Sequence, residues 1–368
     1  MDNQDDTKYY LQPLGFLRGC CGSDENFIRL AGTDLYFSAL KIISRTDRKK
    51  ISQEIVAIDK LPSYLKKLSS HHAQMIKAIL QNIKQIRPPL QMNDSWKFDW
   101  QKPLIQGVLN MTPDSFSDGG EFNDLEKSIL HARQMINAGA SIIDIGGEST
   151  RPNAEKISTP LEISRVLPVI VALQEDQIPI SIDSRHGDVM KAAIVAGAKI
   201  INDISALSHD QSSVDVVAQS GLAVVLMHAQ GDPQTMQENP QYDNVVLDIY
   251  DYLQSRIEFC LSRGITKDKI IIDPGIGFGK SVDHNLQILN ALSLFHGLGV
   301  PLLIGVSRKS FIGKITDQDI PATRIQGSIA AAQICIDQGA QIIRVHDVEE
   351  TQQALSVWQA IVEKVDFF

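Results

Sequence analysis

The sequence predicts an α/β protein, a (β/α)8 TIM barrel preceded by a small α+β N-terminal domain. From about residue 104 onward, short apolar runs rich in β-branched residues alternate with segments that have the apolar spacing of helices. Several of these segments end in glycine just before the next apolar run, as at Gly139, Gly197 and Gly339, which is where a helix usually ends. Eight such strand and helix units match a closed barrel of parallel strands.

The eight predicted strands are, in chain order, LIQGVLN (104–110), SIIDIGG (141–147), IPISIDS (178–184), KIINDIS (199–205), LAVVLMHA (222–229), KIIIDPG (269–275), PLLIGVS (301–307) and QIIRVHD (341–347). The segments between them, such as EKSILHARQMINAGA and VMKAAIVAGA, fit helices that cover the outside of the sheet. An open doubly wound sheet is the weaker alternative, because no Gly-x-Gly-x-x-Gly motif follows the first strand.

The first hundred residues differ from the rest. Residues 1–98 are predicted to form an accessory domain of unknown role, and residues 99–368 the barrel. The first part contains strand-like stretches (FIRLAGTDLYFSALKIIS) and a helical stretch (HAQMIKAILQNIKQI), but we find no catalytic motif in it. The charged run 45–50 is expected to be a solvated loop and the stretch 87–100 a linker. Alternatively, this domain only aids stability or assembly.

Composition narrows the class of protein. The chain has 368 residues, 43% of them hydrophobic and 21% charged, and a net charge of −9, which argues against a partner such as nucleic acid or an anionic membrane. Its four cysteines form no metal-binding spacing and are expected to be reduced thiols. The N-terminus does not resemble a targeting peptide, and no apolar run is long enough to span a membrane. We therefore expect a cytoplasmic protein.

Polar residues stand at the carboxyl ends of all eight predicted strands. They include Asn110, Asp144, Asp183, Asn202, Asp203, His228, Asp273, Ser307, Arg344 and His346. Because the active site of a barrel of this kind lies at the carboxyl ends of its strands, these residues are expected to surround one site.

Three loops indicate the type of ligand. The loop after the first strand, NMTPDSFSDGG, is rich in turn formers and carries Phe116, which suggests a lid over a flat substrate. Glycines and donors in GGESTRP after the second strand, SRKS after the seventh and Arg-x-His on the eighth favour an anion. Together they predict a phosphorylated substrate.

Asp183, Asn202 and Asp273 suggest recognition of a ring with alternating donors and acceptors, such as a pterin. Left unpaired, each buried polar group would cost roughly 1–3 kcal/mol. A pterin edge could satisfy them.

Together, these strand ends and loops resemble those of the dihydropteroate synthase family, the folate-pathway enzymes that sulfonamides inhibit. The resemblance rests on NMTPDSFSDGG, DIGGESTRP, SIDS, INDIS, MH, DPGIGFGK, GVSRKSFIG and RVHDV, in the family's order, over about residues 104–360. It implies condensation of 6-hydroxymethyl-7,8-dihydropterin diphosphate with p-aminobenzoate to 7,8-dihydropteroate and pyrophosphate. It also implies Mg2+ as cofactor and a homodimer.

The resemblance carries residue roles onto this chain. The pterin would be held by Asp183, Asn202, Met227, Asp273 and Lys309. The diphosphate would be held by Asn110, Thr150, Arg344 and His346, with Asn110 contacting Mg2+. The aminobenzoate pocket would contain Phe116, Arg151, Pro152, Gly277, Phe278 and Ser310. Catalysis would involve Asp183, Lys309, Arg344, His346 and Asp118, with Asp114 the alternative to Asp118.

Other interpretations stay open at this stage. Methyltetrahydrofolate:corrinoid methyltransferases resemble the chain in their pterin-binding residues but have no diphosphate to bind. A non-catalytic pterin-binding paralogue is a further alternative. Arg344 could be a structural ion-pair partner, and His228 a core histidine with its hydrogen bonds satisfied.

Overall fold

The computed structural model describes residues 7–18, 25–46, 50–92, 96–111, 121–149, 156–231 and 235–362. Within these ranges the chain forms an antiparallel sheet with two helices, followed by a parallel barrel with its surrounding helices. No helix in these ranges is both long and apolar enough to cross a membrane.

The N-terminal part is an α+β unit. Its strands are β1 (Lys8–Arg18), β2 (Ile28–Arg29), β3 (Leu35–Thr46) and β4 (Lys50–Ala57), and its helices are α1 (Leu61–Leu65) and α2 (Ser70–Lys84). Strand β3 pairs antiparallel with β1, β2 and β4. The apolar core of this unit includes Leu11, Phe37, Leu40 and Ile76, all fully buried. The predicted α+β character is confirmed, whereas the boundary at residue 98 stays a prediction.

Contrary to expectation, the stretch 87–100 is more than a linker. It contains the antiparallel strands β5 (Leu90–Gln91) and β6 (Lys97–Phe98). Leu90 and Trp100 pack in one apolar cluster with barrel residues such as Ile200 and Leu303. The hairpin therefore contributes to the apolar core of the barrel, which a spacing pattern in the sequence does not reveal.

The eight predicted barrel strands are confirmed. They are β7 (Leu104–Asn110), β8 (Ile142–Gly146), β9 (Ile180–Asp183), β10 (Ile200–Asp203), β11 (Ala223–Met227), β12 (Ile270–Asp273), β13 (Leu303–Ile304) and β14 (Ile342–Val345). From β7 to β12 each strand pairs in parallel with the next, β13 pairs with β14, and β14 pairs with β7. A parallel bridge between Ile272 and Leu302 joins β12 to the segment before β13, so the barrel closes.

Nine helices are described around the barrel. They are α3 (Glu121–Asn137), α4 (Thr159–Ala172), α5 (Gly187–Ala196), α6 (Ser213–Ser220), α7 (Val245–Ser262), α8 (Val282–Asn290), α9 (Ser310–Thr316), α10 (Ile325–Ile336) and α11 (Val348–Val362). Gly139, Gly197 and Gly339, the predicted ends of three helical segments, all have a positive φ. This left-handed conformation favours glycine, which explains their place in the sequence.

The N-terminal unit docks on the barrel along α7 and residues 292–298. Arg45, expected in a solvated loop, lies at the end of β3 and is 7% exposed. Its guanidinium pairs with Asp248 at 2.6 Å and also with Asp251, to which the Tyr10 hydroxyl donates as well. Arg87 donates to the carbonyl of His296 at 3.1 Å. These contacts join residues that are far apart in the sequence, so no local sequence pattern predicts them.

Candidate active site

The strand register collects polar side chains inside the barrel at the carboxyl ends of the strands. Arg344 is opposite Gln106, Asn202 is opposite Asp183, and Met227 is opposite Asp273. Residues opposite each other in a parallel pair share a face, and alternate residues of a strand share it too. By this register Asn110, Asp144, Asp183, Asn202, Met227, Asp273 and Arg344 lie on the inner face.

Arg344 lies between two carboxylates. Its Nε donates to Asp144 Oδ2 at 2.6 Å, and its Nη2 donates to Asp183 Oδ2 at 2.7 Å. The Asn202 side-chain amide donates to the same Asp144 oxygen at 3.0 Å. Asp144 is fully buried, so this network fixes Arg344, Asp183 and Asn202 relative to one another. Arg344 is therefore an ion-pair partner of two carboxylates on the inner face of the barrel.

Burial and charge act in opposite directions on this network. Burial raises the pKa of Asp183, and the Arg344 guanidinium opposes that rise. Burial also lowers the pKa of Arg344, but the carboxylates of Asp144 and Asp183 outweigh it and keep that pKa above its ordinary value. Arg344 therefore stays positively charged at the inner face of the barrel.

The second half of the site lies at the ends of β12 and β13. Asp273 Oδ1 accepts a hydrogen bond from the backbone of Gly275 at 2.7 Å. The Lys309 ammonium lies 4.3 Å from the centre of the Phe278 ring, within range of a cation–π interaction. Burial and the nearby Arg344 lower the pKa of Lys309 to about 8, against the opposing effect of Asp273 and Asp183.

Gly277 and Ser310 adjoin this group. A Cβ atom added at Gly277 would lie 3.2 Å from Lys309 Cδ, so the glycine brings its backbone close to the lysine stem. Ser310 is the first residue of α9, directly after Lys309, and is exposed.

His346 lies beside Ser307 where β13 and β14 lead into their loops. Its backbone N–H donates to Ser307 Oγ at 3.1 Å, and its Nδ1 is also 3.1 Å from that oxygen. The backbone contact places His346 beside Ser307, and the contact at Nδ1 orients the imidazole.

Asn110 ends β7 next to Asp183. A Cβ atom added at Gly146 would lie 3.6 Å from Asn110 Oδ1 and 3.5 Å from Asp183 Cβ, so the glycine leaves space between these side chains. Across the described ranges no three His, Cys, Asp or Glu side chains cluster as a metal site. The Asn110 side-chain oxygen is a hard oxygen ligand of the type that Mg2+ prefers.

The chain is similar to known proteins across the barrel. The family described as pterin binding enzyme matches residues 106–346. Dihydropteroate synthase of Escherichia coli (strain K12) is 48% identical over 263 residues, which is 71% of this chain and 93% of that protein.

The chain belongs to the dihydropteroate synthase family.

Solved structures of this family superpose on the barrel. Xanthomonas albilineans dihydropteroate synthase with 4-aminobenzoic acid matches with a TM-score of 0.71 and 41% identity, covering 76% of this chain and 99% of that one. The same enzyme in complex with 7,8-dihydropteroate matches with a TM-score of 0.69 and 39% identity, covering 76% and 100%. The homologues of this chain are transferases, and its barrel has the dihydropteroate synthase fold.

Some residues predicted for the site lie outside the described residues. They are Asp114, Phe116, Asp118, Thr150, Arg151 and Pro152. Their roles stay predictions. The other predicted residues lie at the carboxyl ends of the barrel strands, in the loops that follow or, for Ser310, at the start of α9. They are Asn110, Asp183, Asn202, Met227, Asp273, Gly277, Phe278, Lys309, Ser310, Arg344 and His346.

Asp203 does not join the inner face, although it ends β10. It follows Asn202 directly, so its side chain points the other way. Its carboxylate accepts hydrogen bonds from Ser205 at 2.7 Å and from the Leu207 backbone at 2.9 Å. Asp203 therefore stabilises the turn after β10.

The sequence placed Asp144 and Ser307 among the polar residues at the strand ends but gave them no individual role, and it gave Lys280 no role in the site. Asp144 organises Arg344 and Asn202, and Ser307 orients His346. The inward position of Asp144 follows from the alternation of side chains along β8, but its partners do not. Ser307 and Lys280 depend on contacts between loops. His228, one of the strand-end residues, is a buried partner of Lys280.

Proposed function

We propose that the chain catalyses the condensation of 6-hydroxymethyl-7,8-dihydropterin diphosphate with p-aminobenzoate, forming 7,8-dihydropteroate and pyrophosphate. The observation that carries this proposal is the inward polar face made by Asp183, Asn202 and Asp273, with Arg344 and Lys309 beside it. Hydrogen-bonding groups for a flat heterocycle and two cations for an anionic leaving group adjoin each other.

The pterin is bound at the carboxyl ends of β9 to β12. Asp183, Asn202 and Asp273 supply acceptors and donors for its polar edge, and Met227 packs beside the ring. Lys309 completes the pterin site from the loop after β13. These groups are buried or half-buried, so a bound ring would satisfy hydrogen bonds that water reaches poorly.

The diphosphate is bound by Asn110, Thr150, Arg344 and His346. Arg344 and His346 are two residues apart on and just after β14, so both side chains face the barrel mouth. Asn110 would contact Mg2+, and a bound Mg2+ would neutralise part of the negative charge of the diphosphate. Neutralising the leaving group lowers the barrier to breaking its bond to the methylene carbon.

Aminobenzoate is bound above the pterin by Phe116, Arg151, Pro152, Gly277, Phe278 and Ser310. Its amine needs positioning rather than a strong base, because the carbon it attacks becomes electron-poor as the diphosphate leaves. Asp183, below the ring, and Asp118 or Asp114, from the loop after β7, stabilise the positive charge that develops there. The C–O bond to the diphosphate breaks, and the amine nitrogen forms the new C–N bond and releases a proton.

We also propose that the protein is a cytoplasmic homodimer. Cys260 and Cys335 are buried free thiols, which suits a reducing compartment. Sedimentation equilibrium of the full chain tests the assembly, since a single species at the mass of one chain would rule out the dimer.

A pyrophosphate-release assay tests the function. Wild-type protein receives Mg2+, dihydropterin diphosphate and p-aminobenzoate, in parallel with Asp183→Asn and Arg344→Ala. We expect aminobenzoate-dependent release that both variants lose. Binding of the pterin without release by the wild type would contradict the proposal and favour a non-catalytic pterin-binding protein.

A further inference from the structure

Lys280 is a buried lysine, and its hydrogen-bond partners among the described residues carry no charge. It ends the loop after β12 and is 3% exposed. Its ammonium donates to the Phe278 carbonyl at 2.9 Å, to His228 Nδ1 at 3.0 Å and to the His228 carbonyl at 3.3 Å. An ammonium has three N–H donors, so these three acceptors use all of them. The His228 imidazole is then neutral, with its proton on Nε2.

These partners belong to two different loops. His228 follows β11, and Phe278 lies in the loop after β12. The two loops are in close contact, because a Cβ atom at Gly275 would overlap the His228 carbonyl oxygen. One at Gly279 would overlap the Gln230 carbonyl oxygen. Lys280 thus joins the two loops directly after Met227 and Asp273, the last residues of β11 and β12.

The contact to Phe278 connects Lys280 with the proposed substrate site. The Lys280 ammonium holds the backbone carbonyl of Phe278, and the Phe278 ring lies against the Lys309 ammonium. Burial lowers the pKa of Lys280 to about 7, with Lys309 acting in the same direction and Asp273 opposing it. The three acceptors around the Lys280 nitrogen favour its ammonium form and oppose this lowering.

We propose that Lys280 is a positioning residue for p-aminobenzoate, acting by fixing the Phe278 ring between the aminobenzoate pocket and Lys309. The inference rests on the proposed function, since it assumes that Phe278 lines that pocket. Lys280 is buried and holds the Phe278 backbone, so its effect on the substrate is exerted through Phe278.

A double-mutant cycle tests this inference. Lys280→Met keeps the length of the side chain and removes its donors, and Phe278→Leu removes the ring. We expect each single variant to lower kcat/KM for p-aminobenzoate by roughly tenfold or more, because a small misplacement of a reacting group is costly. We expect the double variant to lose no more than about twice the larger single loss, because the two residues act as one unit. Lys191→Met, on the exposed surface of α5, is the control and should leave kcat/KM unchanged.

A second readout separates positioning from general disruption. The Kd of dihydropterin diphosphate, measured without aminobenzoate, should change less than kcat/KM does in Lys280→Met. Losses that multiply in the double variant, or equal losses in both quantities, would overturn the inference. If Lys280→Met does not fold by circular dichroism, Lys280→Gln, which keeps two of the three N–H donors, replaces it, and a smaller loss that again does not multiply with that of Phe278→Leu is expected. Absence of aminobenzoate-dependent turnover in the wild type would instead refute the proposed function.

Discussion

Replacing Asp144 by asparagine tests whether the ion-pair network organises the site. The substitution keeps the shape of the side chain and removes its charge. Asp144 Oδ2 accepts from Arg344 Nε at 2.6 Å and from Asn202 Nδ2 at 3.0 Å. Of the two described ion pairs of Arg344, the variant keeps only the one with Asp183.

The magnitude follows from these contacts. A hydrogen bond to a charged group contributes roughly 1.5–3 kcal/mol, and Asp144 is fully buried, so solvent does not replace the lost interaction. If that energy is needed to hold Arg344 for the leaving group, kcat/KM for dihydropterin diphosphate should fall roughly 10- to 100-fold. Unfolding free energy should fall as well, because the Arg344 charge stays buried with one carboxylate fewer.

Steady-state pyrophosphate release measures the first effect and urea denaturation the second. Asp215→Asn is the matched control, because Asp215 pairs with Arg263 on the surface and both side chains are well exposed. Such a pair contributes roughly 0–1 kcal/mol and should not affect turnover. If Asp144→Asn retained kcat/KM within about twofold while remaining folded, the network would not organise the site.

Three further predictions concern the loops, the domain contact and pH. Gly275→Ala should lower the unfolding free energy by about 2–5 kcal/mol, because the φ of Gly275 is +71° and a Cβ there would overlap the His228 carbonyl oxygen. The control is Gly264→Ala, where φ is +89° and the surrounding space is open, and it should lose only about 1–2 kcal/mol in the same urea titration. Equal losses of unfolding free energy in the two variants would refute the close contact between Gly275 and His228. Arg45→Met should lower the unfolding free energy by roughly 1–3 kcal/mol in urea denaturation and leave kcat/KM unchanged at 25 °C. Unchanged stability would mean that the contact between the N-terminal unit and the barrel is weak. Because Lys309 has a pKa of about 8 and acts as a cation, binding of dihydropterin diphosphate should weaken as pH rises through about 8, and calorimetric titrations of Lys309→Met should lack that step.

Much of the barrel could be predicted from the sequence because its signals are local. Each strand is an apolar run, and Gly139, Gly197 and Gly339 occupy positions that need a positive φ. The docking of the N-terminal unit could not be predicted. Arg45 pairs with residues more than 200 positions away, and a charged run in a sequence usually indicates solvent exposure.

The candidate site divides in the same way. Strand ends in a parallel barrel meet at one rim, so Asp183, Asn202 and Asp273 could be placed together from sequence. The alternation of side chains along a strand would also have separated Asn202 from Asp203. The partners of Arg344 could not be predicted, because several carboxylates reach the same rim and only the three-dimensional register selects Asp144 and Asp183.

The most direct test of the central claim is to identify the product. Wild-type protein with Mg2+, dihydropterin diphosphate and p-aminobenzoate labelled with 15N at its amine would be analysed by mass spectrometry, with pyrophosphate measured in the same samples. We expect 7,8-dihydropteroate that carries the label, one molecule for each pyrophosphate released. Pyrophosphate released without labelled dihydropteroate, or no reaction of a pterin that binds, would contradict it.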